Sequence, residues 1–119
     1  MFIRDLNDCE EFTAGDNSIL RELLHPDKAY LAINYSLAHA TIKPGRTSRP
    51  HKLKTSEVYY ILEGEGIMNI DNETKIVHPG NAIYISPNSL QFIQNIGKDD
   101  LIFLCLVDPA WKKEDETIL

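Results

Sequence analysis

Cysteine is scarce in this chain of 119 residues, where only Cys9 and Cys105 are present. Two cysteines can form at most one disulfide, and a chain with 43% hydrophobic residues does not depend on one to build a core. We therefore expect both thiols to be free. The length leaves room for one domain, 1–119, with a core at 30–108, an N-terminal arm at 1–29 and a C-terminal tail after it.

The chain also lacks a long apolar run and an excess of positive charge. No stretch approaches the roughly 18 apolar residues of a membrane-spanning helix, and the acidic N-terminus does not resemble a secretion signal. The net charge of −6 argues against nucleic-acid binding, which requires clustered cations. These absences predict a cytoplasmic protein with no nucleic-acid and no membrane partner. We interpret the basic cluster between Lys43 and Lys54 as a solvated loop, or alternatively as a guide for an anionic small molecule.

Short apolar or alternating segments separated by turn residues run through most of the chain, and no long helix is indicated. Such a pattern predicts an all-β fold, either an antiparallel barrel or a double-sheet sandwich. The segments that we interpret as strands are 18–24, 30–42, 58–62, 66–70, 74–77, 82–86, 90–95 and 101–107.

The segment 30–42 places one histidine in an alternating pattern. One face carries the larger residues Leu31, Ile33, Tyr35 and Leu37. His39 continues this face, so we expect its side chain to point into the barrel. There it would be either a hydrogen-bonded core histidine or a residue of the functional site.

His51 and Glu57 are the central candidates for chemistry. On one continuous strand, six residues would separate them by about 20 Å, too far to share a ligand. A turn at 54–56 would instead place them on adjacent strands and let their side chains converge. The predicted site therefore depends on that turn.

The spacing around these two residues resembles the cupin family. Its first motif is matched by Gly45, His51, Glu57 and Gly64, with Leu53 where a second histidine is usual. The second motif is matched at Gly80, Ser86, Asn88, Gln91 and Asn95, with Gln91 at the remaining histidine position. The resemblance implies an antiparallel jelly-roll β-barrel, similar to the small cupins described as mannose-6-phosphate-isomerase-like.

The resemblance also implies a divalent metal, Mn, Zn, Fe or Ni, held by His51, Glu57 and Gln91. His39 would supply a second imidazole if it faces the same interior. The protein would then act on a polar small molecule as an isomerase, epimerase or oxygenase, with Glu57, His39 and Tyr59 as catalytic residues.

Two alternatives stay open at this point. One is a non-catalytic module that binds a small molecule without metal; Glu57 would then be paired with His51 or hydrogen-bonded to Tyr59 and Gln91. The other is a stable dimer with a vestigial pocket. The apolar residues Val58, Tyr60 and Leu62, on the face opposite Glu57, predict a homodimer.

Overall fold

The computed structural model describes all residues of the chain, 1–119, and consists almost entirely of β-strands. Two short 3₁₀ turns, Leu6–Asp8 and Lys113–Asp115, are the only helical elements. The strands are β1 (Glu11–Thr13), β2 (Ile19–Leu24), β3 (Ser36–Ile42), β4 (His51–Leu53), β5 (Ser56–Glu63), β6 (Gly66–Ile70), β7 (Glu73–Val77), β8 (Ala82–Ile85), β9 (Gln91–Asn95), β10 (Leu101–Asp108) and β11 (Glu116–Ile118).

These strands form two antiparallel sheets. The first has six strands in the order β1-β2-β3-β10-β5-β8, and the second has five in the order β11-β4-β9-β6-β7. A cluster of ten buried hydrophobic residues drawn from both sheets forms the core, with Ile61, Ile93 and Leu101 fully excluded from solvent. The predicted all-β jelly-roll architecture is confirmed.

Strand β9 shows how polar residues reach the interior. Gln91, Ile93 and Asn95 are buried and alternate with Phe92 and Gln94, which are more exposed. Asn95 compensates for its burial by donating hydrogen bonds from Nδ2 to the carbonyls of Ile42 and Asp99, both at 2.8 Å. The alternation therefore places Gln91 inside the barrel.

The segment 30–42 is a strand only from Ser36 onward, so the predicted strand is too long at its start. Within β3 the residues that line the interior are Ser36, Ala38 and Ala40, while Leu37 lies on the outer face. The larger side chains are thus outside and the small ones inside, because the interior at this point is a cavity. The predicted strand at 18–24, in contrast, is confirmed as β2.

Both ends of the chain are built into the barrel. Strand β2 pairs with β3, and β11 pairs with β4, placing Ile118 opposite His51. His25, which follows β2, is buried, and its Nε2 lies 2.9 Å from the carbonyl oxygen of Trp111. The arm and the tail are joined by this contact, so neither is a loose appendage.

The outer face of the six-stranded sheet carries exposed apolar side chains. Tyr60 and Leu62 are 44% and 39% exposed, and Tyr84 on the neighbouring strand is 65% exposed. The homodimer stays a prediction based on this face. No helix in the structure is both long and hydrophobic enough to cross a lipid bilayer.

Gly64 ends β5 where the chain changes sheets, and two constraints act on it. Its φ is +86°, and an added Cβ would lie 2.7 Å from the carbonyl oxygen of Asp100. Gly45 has a similar φ of +73°, but a Cβ there would meet nothing within 4 Å. Comparing substitutions at Gly45 and Gly64 therefore distinguishes the cost of backbone strain, present at both, from the cost of a steric clash, present only at Gly64.

We predict that Gly45→Ala lowers the free energy of unfolding by about 1–2 kcal/mol, the cost of a left-handed conformation for a residue with a side chain. Gly64→Ala should lower it by at least about 1 kcal/mol more, because the sheet must also shift. Urea denaturation of both variants measures the difference. Equal losses would mean that the close approach to Asp100 does not restrict this position.

Candidate functional site

A cavity of about 330 Å³ lies between the two sheets. Strands of both sheets line it, together with the turn between β1 and β2 and the C-terminal tail. Four aromatic and four acidic side chains face it: Phe12, Tyr59, Phe103, Trp111, Asp16, Glu22, Glu57 and Glu116. Cavities of this size and mixed lining are typical of small-molecule sites.

His51 and Glu57 converge on this cavity from different sheets. His51 begins β4 and Glu57 is the second residue of β5; the chain reverses between the two strands at Lys54 and Thr55. The side chains are almost completely buried, with 2% and 4% of the residue surface exposed. The structure thus brings together the two residues on which the predicted site depends.

Glu57 is held by neutral hydrogen-bond donors on both of its carboxylate oxygens. The amide Nε2 of Gln91 donates to Oε1 at 2.8 Å, and the thiol of Cys105 donates to Oε2 at 2.6 Å. Tyr59 then donates its hydroxyl to Oε1 of Gln91 at 3.1 Å. We call these four residues the carboxylate network. It satisfies a buried carboxylate without a counter-charge in direct contact.

The burial of the carboxylate network determines how its members ionise. Burial raises the pKa of Glu57, although the hydrogen bonds from Cys105 and Gln91, and the charge that His51 carries when it is protonated, oppose this shift. Burial, followed by the nearby charge of Glu57, raises the pKa of Tyr59 and of the Cys105 thiol well above their ordinary values. The phenol and the thiol therefore keep their protons at neutral pH and remain donors.

His51 is oriented by the main chain. Its Nδ1 lies 2.8 Å from the carbonyl oxygen of Arg49, which can only accept, so Nδ1 carries a hydrogen. Nε2 makes no hydrogen bond with the protein. Its nearest charged neighbour is Oδ2 of Asp16 at 3.7 Å, beyond hydrogen-bonding distance. In the neutral ring, Nε2 is therefore an acceptor that faces the cavity.

Asp16 lies in the turn between β1 and β2, and it is 8% exposed. Its Oδ1 accepts hydrogen bonds from the main-chain nitrogen and the hydroxyl of Ser18, at 3.0 and 2.5 Å. Its main-chain oxygen accepts from the nitrogen of Arg49 at 2.7 Å, which fixes the turn beside His51. Only Oδ2 is left without a hydrogen bond.

The structure does not bring His39 to this group. In β3 the side chains of Ala38 and Ala40 face the cavity, and His39 faces the opposite side of the sheet, near Arg21 and Thr41. Partial burial, and then the charge of Arg21, lower its pKa. The expectation that His39 points inward is wrong because the strand places its small residues, and not its large ones, toward the cavity.

The predicted metal ligands do not fit a metal in this arrangement. His39 is on the other face, Oε1 of Gln91 accepts from Tyr59, and both oxygens of Glu57 accept from protein donors. No three or more His, Cys, Asp or Glu side chains are grouped so that they could hold a metal ion. Among the predicted metal ligands that face the cavity, only His51 has a ligating atom, Nε2, that makes no hydrogen bond with the protein.

Asp16 and Cys105 are site residues that sequence reasoning missed. The motif Gly15-Asp16-Asn17 indicates a turn, but nothing local shows that the turn folds over the barrel. For Cys105 a signal was available: it lies two and four residues after Phe103 and Leu101 in β10, on the same inward face of the strand. Period-two alternation within that apolar segment would have placed the thiol inside.

Comparison with known proteins agrees with this architecture. Residues 38–107 match the protein family described as "Cupin domain". The chain belongs to the cupin family. This cupin is also 47% identical over 109 residues to the uncharacterized protein MJ1618 of Methanocaldococcus jannaschii, covering 91% of this chain and 86% of that protein.

Two solved structures illustrate the fold similarity of this cupin. A predicted oxalate decarboxylase from Thermotoga maritima superposes with a TM-score of 0.78 at 21% identity, covering 91% of this chain and 99% of the other. The polyketide cyclase RemF from Streptomyces resistomycificus gives 0.77 at 20% identity, covering 97% and 89%. At such identities the likeness extends to the fold and leaves the activity open.

The raised pKa of Glu57 leads to a prediction for stability against pH. Below its ordinary pKa of 4.5 the carboxyl is protonated in the folded and unfolded states alike. Above that value the unfolded chain ionises first, so the folded protein should lose stability until its own raised pKa is passed, by up to about 1.4 kcal/mol per pH unit.

Urea denaturation at a series of pH values, for the wild type and for Glu57→Gln, measures this effect. As pH rises above 4.5, the unfolding free energy of the wild type should fall relative to that of Glu57→Gln. The exposed Glu114 gives the control variant Glu114→Gln, for which we expect no such trend. A wild type that gains stability relative to Glu57→Gln over this range would contradict the burial effect.

Proposed function

We propose that this cupin binds a polar small molecule in the barrel cavity through its own side chains, without a resident metal. The observation that carries the proposal is the difference between two sets of polar groups. The carboxylate network is satisfied internally at both oxygens of Glu57, whereas Nε2 of His51 and Oδ2 of Asp16 face the cavity without a hydrogen bond.

In this proposal the carboxylate network forms the floor of the site. Glu57, Gln91, Tyr59 and Cys105 hold one another in fixed positions, because each removed partner would leave a buried polar group unpaired. His51 and Asp16 contact the ligand. Aromatic side chains of the cavity, such as Phe103 and Trp111, would cover its apolar part.

Of the functions expected from the sequence, the donor geometry supports the metal-free binding protein best. The metal-dependent isomerase or oxygenase needs at least three free ligand atoms on adjacent side chains. Here the amide and carboxylate oxygens that would serve are engaged by Tyr59, Gln91 and Cys105.

A thermal-shift screen of polar small molecules against chelator-treated protein tests the proposal. Ligands that enter the cavity should raise the melting temperature, because they bind the folded state alone. The increase should disappear in His51→Ala. It should persist in His78→Ala, which removes an exposed loop histidine and serves as the matched control.

The same protein, purified without chelators, should contain less than about 0.2 metal ion per chain by mass spectrometry. Its melting temperature should not change on addition of Mn, Zn, Ni or Fe. A near-stoichiometric ion that is lost in His51→Ala and retained in His78→Ala would overturn the metal-free proposal and favour the metalloenzyme.

A second candidate is an isomerase or epimerase that works by proton transfer. The observation in its favour is the unpaired Nε2 of His51 beside the fixed carboxylate of Asp16, 3.7 Å away. An imidazole held in one tautomer and oriented toward a cavity can remove a proton from a carbon next to a carbonyl group. His39, expected as a partner in this role, faces the other side of the sheet.

Deuterium incorporation distinguishes this enzyme from a binding protein. A carbonyl ligand found in the screen would be incubated with the protein in D₂O and analysed by mass spectrometry. The enzyme should exchange the hydrogen next to the carbonyl group, and His51→Ala should lose this exchange. If bound ligands gain no deuterium above the rate without protein, the protein binds without proton transfer.

A further inference from the structure

The groups that face the cavity with unused hydrogen-bonding capacity are acceptors. Nδ1 of His51 must donate to the Arg49 carbonyl, so Nε2 presents a lone pair to the cavity when the ring is neutral. Oδ2 of Asp16 also accepts, and it lies 3.7 Å from that nitrogen. A single ligand group that satisfies both acceptors needs at least two donor hydrogens.

Among common ligand groups, ammonium, guanidinium and primary amide groups meet this requirement, and the first two are cations. A hydroxyl has one hydrogen and can satisfy only one of the two acceptors. A carboxylate or phosphate has none at neutral pH, and it would be repelled by Asp16. A primary amine, which is an ammonium group at neutral pH, has three hydrogens and the complementary charge.

The rest of the cavity lining favours the same charge. Glu22, Glu57 and Glu116 also face the cavity. The one lysine in the lining, Lys28, lies 2.5 Å from Oε1 of Glu22, and its side chain is 67% exposed. No cation of the protein is therefore free inside the cavity to bind an anion. The aromatic rings that line the cavity add faces that attract cations.

We propose that the cavity of this cupin selects a small organic amine, whose amino group lies between Nε2 of His51 and Oδ2 of Asp16. The inference rests on the proposed function, since it assumes that the cavity binds a small molecule through protein side chains. It replaces the anionic ligand that the basic cluster between Lys43 and Lys54 suggested. Those cations do not line the cavity.

Three probes with one carbon skeleton test the choice of group: benzylamine, benzyl alcohol and benzoate, titrated into chelator-treated protein and followed by calorimetry or NMR. Benzylamine should bind at least about tenfold more tightly than benzyl alcohol, because hydrogen bonds to charged partners are the stronger ones. Benzoate should bind more weakly still.

Asp16→Asn provides the decisive variant. The asparagine keeps an oxygen for the hydrogen bonds from Ser18 and replaces Oδ2 with an amide NH₂, so one acceptor of the gap becomes a donor. Benzylamine should lose about tenfold or more in affinity, and benzyl alcohol should equal or exceed it. The matched control, Asp99→Asn, removes the same charge from an exposed residue outside the cavity and should bind all three probes as the wild type does.

The outcomes separate this inference from the proposed function. If benzyl alcohol or benzoate binds the wild type as tightly as benzylamine, the cavity binds small molecules but the amine inference is wrong. If Asp16→Asn and Asp99→Asn weaken benzylamine equally, net charge and not the gap between His51 and Asp16 is responsible, and the inference is again overturned. No benzylamine binding, beside positive results from the wider screen, would overturn the inference alone.

Discussion

The burial of one carboxylate constrains the whole interior. Glu57 lies between two sheets, and desolvation of an ionisable group there costs more than any single hydrogen bond returns. The protein meets this cost with donors from two other strands, Gln91 of β9 and Cys105 of β10. Because β9 and β10 belong to different sheets, the carboxylate network also fixes how the sheets face each other at the cavity.

This constraint explains the division of work among the polar residues. Donors that satisfy Glu57 are no longer available to a ligand, and a phenol and a thiol with raised pKa values contribute hydrogen bonds more readily than charge. In the proposed site, contact with a ligand would fall to His51 and Asp16, which belong to elements outside the carboxylate network. The hydrogen-bonded network and the two unpaired groups that face the cavity are therefore supplied by different segments.

The sequence predicted the architecture well because its evidence is local and repeated. Alternation and turn residues located most strands, and the turn after Leu53 brought His51 and Glu57 together as expected. The prediction that His39 points inward was wrong because the face of β3 with the larger side chains was assigned to the interior. In a barrel that contains a cavity, Ala38 and Ala40 face inward to leave space, and this inversion cannot be recognised without knowing where the cavity lies.

Asp16 escaped prediction for a different reason. Its role depends on a contact across 33 residues of chain, the hydrogen bond from the nitrogen of Arg49 to its carbonyl oxygen, which no local pattern records. The predicted homodimer similarly depends on a second molecule. The exposed side chains of Tyr60 and Leu62 suggest that a partner covers this face, but they do not identify that partner. Long-range tertiary contacts and oligomeric state are therefore the properties that a single sequence leaves open.

The pairing of β11 with β4 has a practical consequence for handling this protein. The strand ends at Ile118, and the nitrogen of the last residue, Leu119, donates to the carbonyl of Pro50, next to His51. Residues joined after Leu119 would therefore begin close to His51 and the cavity, whereas residues joined before Met1 would extend from a fully exposed residue. For ligand-binding studies, an affinity tag is therefore better placed before Met1.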